Sequence, residues 1–460
     1  MRCTRSMWAR AHRPARRSRS PSSPRERSSK SRPSRTCRAR PAMATAIRRY
    51  VRRLGLDAYV VGGAVRDELL GLEPGDEDFL VPGLDHAGLR VALEPYGRVE
   101  EMEVHGQLVG VRLHPADRAI RKLARAGIEL TPPRAERSTG PGHTDFEIST
   151  GANVSIAEDL ARRDFTVNAI AKRLSDGSLI DPHGGVADLA RRELRMVRAE
   201  GFVDDPLRIL RGLRLVSQLG FTLAGCTFAA MRAHAEGLQH VSSERIGGGI
   251  AADGRGELSK LLLGRDPRTA LKLARETGAL AVVLPEVGRD DGPAEAVAEA
   301  AAAGAPLAVR LAALFNRSGA RAAGTALDRL RYPVALRRRV QAIIAAHEFP
   351  LPDEPDARAA RRLLREHGTP LADDLVALRH ALGRPGERPR LGVFAQELER
   401  ERGAVHTFAG LAIDGSDLLG LGLREGPEVG QILACLLDRV VDEPALNDRE
   451  TLLALALERG

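Results

Sequence analysis

The sequence predicts an α/β (α+β) head with a mixed β-sheet over residues 44–182, followed by an all-α neck, body and tail. Two observations predict it. Up to about residue 182, short runs of branched and aromatic residues alternate with helical runs, the mixture that builds one sheet flanked by helices. From about residue 183 those strand signals fade, and Leu, Ala and Arg recur with the helical period of about 3.6 residues. At 460 residues the chain is long enough for two to four domains with filled cores.

Residues 1–43 stand apart. They carry 14 Lys or Arg against one acid, Glu26, a net of +13, and are rich in Ser and Pro. The whole chain carries +9, so residues 44–460 carry about −4 and the basic character belongs to the tail. Such a composition cannot bury a core and is expected to be disordered. It suits a start assigned upstream of Met43, an organellar transit peptide, or a basic arm for nucleic acid. Met43-Ala44-Thr45-Ala46, running straight into a helical pattern, favours the first.

No run of 18 apolar residues occurs, so no membrane span is expected. Of four cysteines only Cys226 and Cys435 lie beyond the tail, and no Cys-x-x-Cys spacing exists. Neither a disulfide framework nor a zinc site is indicated, and a reducing cytoplasm fits best. A genuine transit peptide would move the protein to an organelle.

Within the head, strands are expected at 57–61, 77–81, 98–103, 108–113, 127–131 and 144–149. Tyr59-Val60-Val61 runs into the diglycine Gly62-Gly63 and then a helix from Ala64 to Leu70. A diglycine leading into a helix lets backbone N–H groups approach a phosphate closely, and the helix N-terminus favours the anion. Next, Gly75-Asp76-Glu77-Asp78-Phe79-Leu80-Val81 reads as a strand. Asp76 and Asp78 are two apart, so both carboxylates face one side. Hard oxygen donors held this way suit Mg²⁺, which shares its shell with substrate phosphates. Each part alone is also an ordinary turn or a solvated acidic loop; the order and close spacing point to a nucleoside triphosphate. Arg66 and Asp67 suit either this site or an ion pair at the helix start.

Three further segments follow: Glu158-Asp159-Leu160-Ala161-Arg162-Arg163-Asp164-Phe165-Thr166-Val167-Asn168, then Ile180-Asp181-Pro182-His183-Gly184-Gly185 with Asp188, then Asp204-Asp205-Pro206-Leu207-Arg208. With the diglycine and Asp76/Asp78, these resemble the bacterial-type (class II) tRNA nucleotidyltransferase and poly(A) polymerase family, which includes the CCA-adding enzymes. The resemblance is dense from 59 to 221 and looser toward the C-terminus. It implies a nucleotidyltransferase catalytic head at 44–182, a helical neck at 183–255 and a helical body and tail at 256–460. It also implies a reaction: an RNA 3′-hydroxyl attacks the α-phosphorus of a nucleoside triphosphate, and pyrophosphate leaves.

The resemblance implies roles for particular residues. Asp76 and Asp78 would hold two Mg²⁺, with Glu129 a candidate third carboxylate. Gly62, Gly63 and Arg66 would cradle phosphate. Arg163, Asp164 and Asn168 would lie against the nucleotide sugar, although Asp164 and Asn168 also suit purely structural capping. Asp205 and Arg208, three apart on one helical face, would read the Watson–Crick edge of CTP or ATP in place of a template. The family usually has Glu where Asp204 stands. Arg211 and Arg214 continue the row toward the acceptor end of an RNA, in a neck with seven Arg against four acids between 191 and 214. Aromatic residues are only 3% of the chain, so recognition of tRNA shape and backbone is expected over base stacking. Ser138 to His143 resembles a segment near the site in these enzymes and equally suits a plain turn.

Some relatives carry a phosphohydrolase domain marked by adjacent His and Asp. Here Arg310-Leu311-Ala312-Ala313-Leu314-Phe315-Asn316 has Phe and Asn instead, a degenerate HD-like region, and His347 alone is no ligand set. The expected partners are the tRNA 3′ end with CTP and ATP. The competing readings are an enzyme adding only A, to tRNA or as a poly(A) polymerase, and a silent RNA-binding scaffold. Retention of Asp76, Asp78, Asp205 and Arg208 argues against the scaffold. Oligomeric state is not encoded legibly.

Overall fold

The computed structural model describes residues 39–73, 75–104, 107–138, 146–150, 153–248, 255–288, 290–383 and 386–458. The Arg-rich segment before Ala39 and the loop expected after Ser138 lie outside the described residues. The first helix runs Ala39–Arg53 and is continuous across Met43.

Among the described residues nine strands build the head: β1 (Tyr59–Val61), β2 (Asp78–Leu80), β3 (Gly97–Val104), β4 (Gln107–Pro115), β5 (Ile128–Thr131), β6 (Arg134–Ser138), β7 (Phe146–Thr150), β8 (Ala171–Arg173) and β9 (Leu179–Ile180). Seven of them form one mixed sheet in the order β3-β4-β5-β2-β1-β8-β9, while β6 and β7 pair apart as an antiparallel hairpin. Every predicted strand is present within a few residues. The sequence pattern missed β6, β8 and β9. Arg134-Ala135-Glu136-Arg137-Ser138 carries no apolar alternation, and β8 and β9 are too short to carry a period.

Registry places the site. In the sheet, Val60 faces Phe79 across β1 and β2, and Phe79 faces Leu130 across β2 and β5, making one apolar row. That row packs with Val51, Leu54, Leu89 and Leu93 in the main core. One residue along, Val61 faces Asp78 and Asp78 faces Glu129, so these side chains emerge on the opposite face. There Tyr59, Val61 and Leu80 meet Ile156 and Leu160 of the helix Ile156–Ala161. Each large buried side chain contributes roughly 1.5–3 kcal/mol, so both faces hold the short β2 in register. Glu77 points the other way from Asp76 and Asp78, and Arg48 takes it at 2.6 Å. Arg48 also pairs with Glu68, which pairs with Lys172, tying the first helix to the sheet behind the aspartates.

From Gly185 onward the described chain is almost wholly helical, as predicted. The exception is a two-residue parallel pairing of Glu193–Leu194 with Thr222–Leu223 in the neck. The helix Leu207–Leu219 buries one face against the helices Glu257–Leu262 and Pro267–Glu276 and ends at Gly220, whose φ of 68° is left-handed. No helix of the described residues is long and apolar enough to cross a membrane. Cys226 and Cys435 are free thiols.

Arg310, at the start of the degenerate HD-like segment, is buried and bonds only carbonyls. Its Nε donates to Ala305 O at 2.8 Å and its Nη1 to Leu262 O at 2.7 Å and Gly264 O at 3.3 Å. It links the neck-side helix Glu257–Leu262 to the body helix Leu307–Phe315. Phe315 is fully buried, whereas Asn316 and His347 line a separate cavity of about 460 Å³ with Glu295, Glu299 and Arg388. His347 Nδ1 sits 2.8 Å from Ile344 O, the bond of a helix-ending side chain. Arg310→Met keeps the apolar stem but strands three carbonyls. It should lower unfolding free energy by roughly 2–4 kcal/mol, measured as a urea-midpoint shift; a shift below about 0.5 kcal/mol would mean the carbonyls find other donors.

Candidate active site

Val61 hands the chain to Gly62, whose backbone has φ 73° and ψ −134°, and the helix Gly63–Leu69 starts immediately. Two constraints make glycine necessary at 62. The positive φ disfavours an L side chain, and a Cβ there would lie 2.7 Å from Arg163 Nη1. The turn therefore brings backbone N–H groups and an arginine head into contact range of one volume.

That volume is a cleft of about 520 Å³ between the sheet and the helix Leu207–Leu219. Its lining includes Gly62, Gly63, Arg66, Asp76, Asp78, Arg163, Asp164, Asn168, Asp205, Arg208, Arg211 and Arg214. Twelve residues expected from the sequence thus converge from segments up to 152 positions apart. Asp67, which the sequence left as a site residue or an ion-pair partner of Arg66, also lines it and does pair with Arg66, and Arg134 and Arg162 line it without having been assigned a role.

Among the described residues, neither Asp76 nor Asp78 has a hydrogen-bond or ion-pair partner, and both are exposed to the cleft. Asp78 is nevertheless packed by enough protein that desolvation raises its pKa; Arg163 opposes the rise, and Glu129 and Asp76 add to it. Two unpartnered, mutually repelling carboxylates beside a cationic wall are a fitting donor set for a divalent cation. No group of three or more His, Cys, Asp or Glu that could hold a metal occurs among the described residues. Glu129 does not complete one. It is the register neighbour of Asp78, but Arg112 Nη2 donates to its Oε1 at 2.6 Å. It lines a second cavity, which shares Asp76 and Asp78 with the first.

On the cleft wall, Ser155 and Glu158 form a reciprocal capping box that starts the helix Ile156–Ala161. Its Asp159 is fully buried. Burial alone would raise its pKa, but Arg162 and Arg163, with the Arg134 backbone N–H, hold it below the usual carboxylate range. Asp164 is buried too. Desolvation again works upward, and Arg211, Asn168 and Arg208 outweigh it. Asp164 Oδ1 accepts from Phe165 N at 2.8 Å and from Asn168 Nδ2 at 3.0 Å. Its Oδ2 lies 3.0 Å from Arg211 Nη2, yet the angle is poor and Oδ2 has no hydrogen bond. Asn168 Oδ1 accepts from Arg66 Nη1 at 2.6 Å, and Arg66 Nε donates to Asp67 at 2.9 Å. Buried Asp188 accepts from Thr166 Oγ1 at 2.7 Å, and a Cβ on Gly185 would strike Thr166 O, so the 180–188 segment locks this turn.

The neck supplies the far wall. Asp205 Oδ1 accepts from Leu207 N at 3.2 Å, capping the helix, while Arg245 Nη2 donates to Oδ2 at 3.0 Å. Arg208 Nη1 lies 3.5 Å from Arg163 O. Asp204 is held by Arg198 at 2.5 Å and does not line the cleft. Arg211 and Arg214, expected to continue the row toward the acceptor end of an RNA, line the cleft. Arg211 faces Asp164 and Arg214 faces Glu257 at 2.8 Å, because the apolar side of their helix packs on the body and only this edge remains for charge. Arg211's pKa is raised chiefly by Asp164, and burial lowers that of Arg214.

An unpartnered carboxylate pair, a positive-φ diglycine turn and an arginine-rich wall on a mixed sheet fit a nucleotidyltransferase head. Comparisons with known proteins agree. Residues 58–195 match the family model "Poly A polymerase head domain", 220–290 match "Probable RNA and SrmB- binding site of polymerase A", and 310–456 match a model of tRNA nucleotidyltransferase domain 2. The CCA-adding enzyme of Bordetella pertussis is 38% identical over 335 residues, 72% of this chain and 80% of that protein. The chain therefore belongs to the bacterial-type CCA-adding family of tRNA nucleotidyltransferases. The Multifunctional CCA protein of Xanthomonas campestris pv. campestris is 38% identical over 235 residues, and the match spans 51% of that relative's length. Among solved structures, the Bacillus stearothermophilus CCA-adding enzyme in complex with CTP superposes with a TM-score of 0.68 at 29% identity, over 91% of this chain and 97% of that one. The Thermotoga maritima CCA-adding enzyme complexed with tRNA shares the fold, with a TM-score of 0.62 at 20% identity.

The depressed carboxylates give a signed pH prediction. Asp159 and Asp164 stay ionised in the folded state to lower pH than in the unfolded chain, where a carboxylate titrates near 3.9. Below about pH 4 the unfolded state binds more protons, so the stability these groups contribute is present above that pH and lost as pH falls through their folded pKa values. Asp164→Asn should flatten the fall in urea midpoint between about pH 5 and pH 3; an unchanged slope would assign the acid limb to other groups.

Proposed function

We propose that this protein is a template-independent RNA nucleotidyltransferase that adds C, C and A to tRNA 3′ ends from CTP and ATP, releasing pyrophosphate. The observation that carries this reading is the single cleft in which Asp76 and Asp78 face the Gly62–Gly63 turn, with Asp205 and Arg208 on the opposite wall. The relatives named for CCA addition support it.

Asp76 and Asp78 would hold Mg²⁺, which when bound supplies a lowered pKa for the attacking hydroxyl and charge neutralisation for the leaving pyrophosphate. The remaining rate comes from positioning and charge stabilisation by the chain's own groups. The Gly62 N–H is taken by Ile170 O at 3.2 Å, so the turn offers phosphate the N–H of Gly63, with Arg66 beside it; Arg163, expected against the sugar, has its Nη1 at the Gly62 backbone and adds positive charge there. Asp164 Oδ2, buried without a hydrogen bond, is suited to accept a ribose hydroxyl, an option a deoxyribose lacks. Asn168 keeps Asp164 and Arg66 in line. Asp205 offers acceptors and Arg208 donors to the edge of cytosine or adenine, with Arg245 steadying the Asp205 carboxylate. Arg211 and Arg214, walled into the cleft, serve its charge balance more directly than an outer RNA surface. Glu129, held by Arg112, would tune Asp78 by repulsion and become a ligand only by leaving that pair. The two unpaired cysteines suit a reducing cytoplasm.

The decisive assay incubates purified protein with tRNA lacking its last three nucleotides and each triphosphate, then sequences the ends. C-then-A addition is expected; A-only extension or no extension would overturn the CCA reading. In the same assay, Asp76→Ala or Asp78→Ala should lower incorporation by about 100-fold or more while tRNA binding by filter retention stays within about twofold. Normal turnover in either variant would remove the metal assignment. Arg208→Ala should narrow the discrimination between CTP or ATP and the wrong bases by about 10-fold or more, and unchanged selectivity would refute base reading by this side chain.

A further inference from the structure

Asp159 is the most completely engaged carboxylate of the cleft, yet it does not line it. Its Oδ1 accepts from Arg162 Nε at 3.2 Å, Arg162 Nη2 at 3.0 Å and the Arg134 backbone N at 3.2 Å. Its Oδ2 accepts from Arg163 Nε at 3.3 Å and Arg163 Nη2 at 3.0 Å. With an exposure of 0%, the carboxylate is shielded from water that would otherwise weaken these bonds.

A side-on pair of this kind uses one edge of the guanidinium and fixes its plane. The other nitrogen, Arg163 Nη1, is thereby turned to the Gly62 backbone, 2.7 Å from where a Cβ would sit, with Asp78 within electrostatic reach. Without the Asp159 edge, nothing in the helix Ile156–Ala161 would keep the Arg163 head against the glycine cradle, because its stem rotates freely. The third bond, to Arg134 N, reaches the first residue of β6, so the same carboxylate holds the start of the β6–β7 hairpin to this helix.

We propose that Asp159 is a positioning residue for nucleotide binding: its ionised carboxylate aims Arg163 Nη1 at the triphosphate cradle and ties that aim to the β6–β7 hairpin. The inference rests on the reading of the cleft as the triphosphate site and deepens it. Asp159 acts through Arg163, so its effect should vanish where Arg163 is absent.

The test is a double-mutant cycle read in steady-state kinetics, with CTP and ATP varied at saturating tRNA and tRNA varied at saturating CTP. Asp159→Asn keeps the shape and one acceptor oxygen but loses the charge. It should raise KM for both triphosphates by about 10-fold, with the KM for tRNA within about twofold of wild type. In an Arg163→Ala background the same change should add less than about twofold. An equal effect of Asp159→Asn with and without Arg163, or a rise confined to the tRNA KM, would overturn the proposal and leave Asp159 a packing residue. Melting temperatures of all four proteins accompany the kinetics. If Asp159→Asn melts below the assay temperature, Asp159→Glu, which keeps the charge on a longer stem, replaces it in the same cycle with the same two readings. A wild-type protein that incorporates no nucleotide would instead defeat the reading of the cleft itself.

Discussion

The left-handed backbone at Gly62 is the constraint on which the head depends. It ends β1 after three residues and starts a helix without a side-chain cap, with the Arg163 head filling the space a Cβ would need. Because β1 lies between β2 and β8, the turn sets where Asp78 stands relative to the diglycine. A side chain at 62 would force either the turn or Arg163 to move, and both belong to the same cleft.

Charge is arranged in layers around that turn. Seven arginines and five aspartates line the cleft, a net positive wall suited to a polyanionic ligand. The buried carboxylates Asp159 and Asp164 are ionised because arginines meet them, whereas the exposed Asp76 and Asp78 are left without such partners. Partnered acids hold arginines in place; unpartnered acids remain available to a cation. The same residue type thus does opposite work according to what folds beside it.

The two halves of the cleft belong to different parts of the chain. The sheet and the helix Ile156–Ala161 form one wall, and the helix Leu207–Leu219 with Arg245 forms the other. Contacts such as Arg211 to Asp164 and Arg208 to Arg163 O bridge them. The degenerate HD-like segment, by contrast, is occupied by packing: Phe315 fills core, and Arg310 staples helices through backbone carbonyls.

Much was legible in the sequence alone. Strand periodicity located β1 to β5 and β7, because alternation is a local property of residues that must bury one side. The diglycine, the Asp76/Asp78 spacing and the Asp205/Arg208 spacing were legible as short local patterns, although Asp76 stands in the bend before β2 and Asp205 is extended ahead of the helix Leu207–Leu219, so the strand and helical periods do not themselves run through these pairs. What lay outside local pattern was decided by the tertiary structure. Arg112 claims Glu129 across a strand pair, Glu257 and Asp164 draw Arg214 and Arg211 inward, and Asp159 earns its place only through arginines that meet it in space. An ion pair between segments depends on where the sheet and helices come to rest, and no residue spacing along the chain carries that distance.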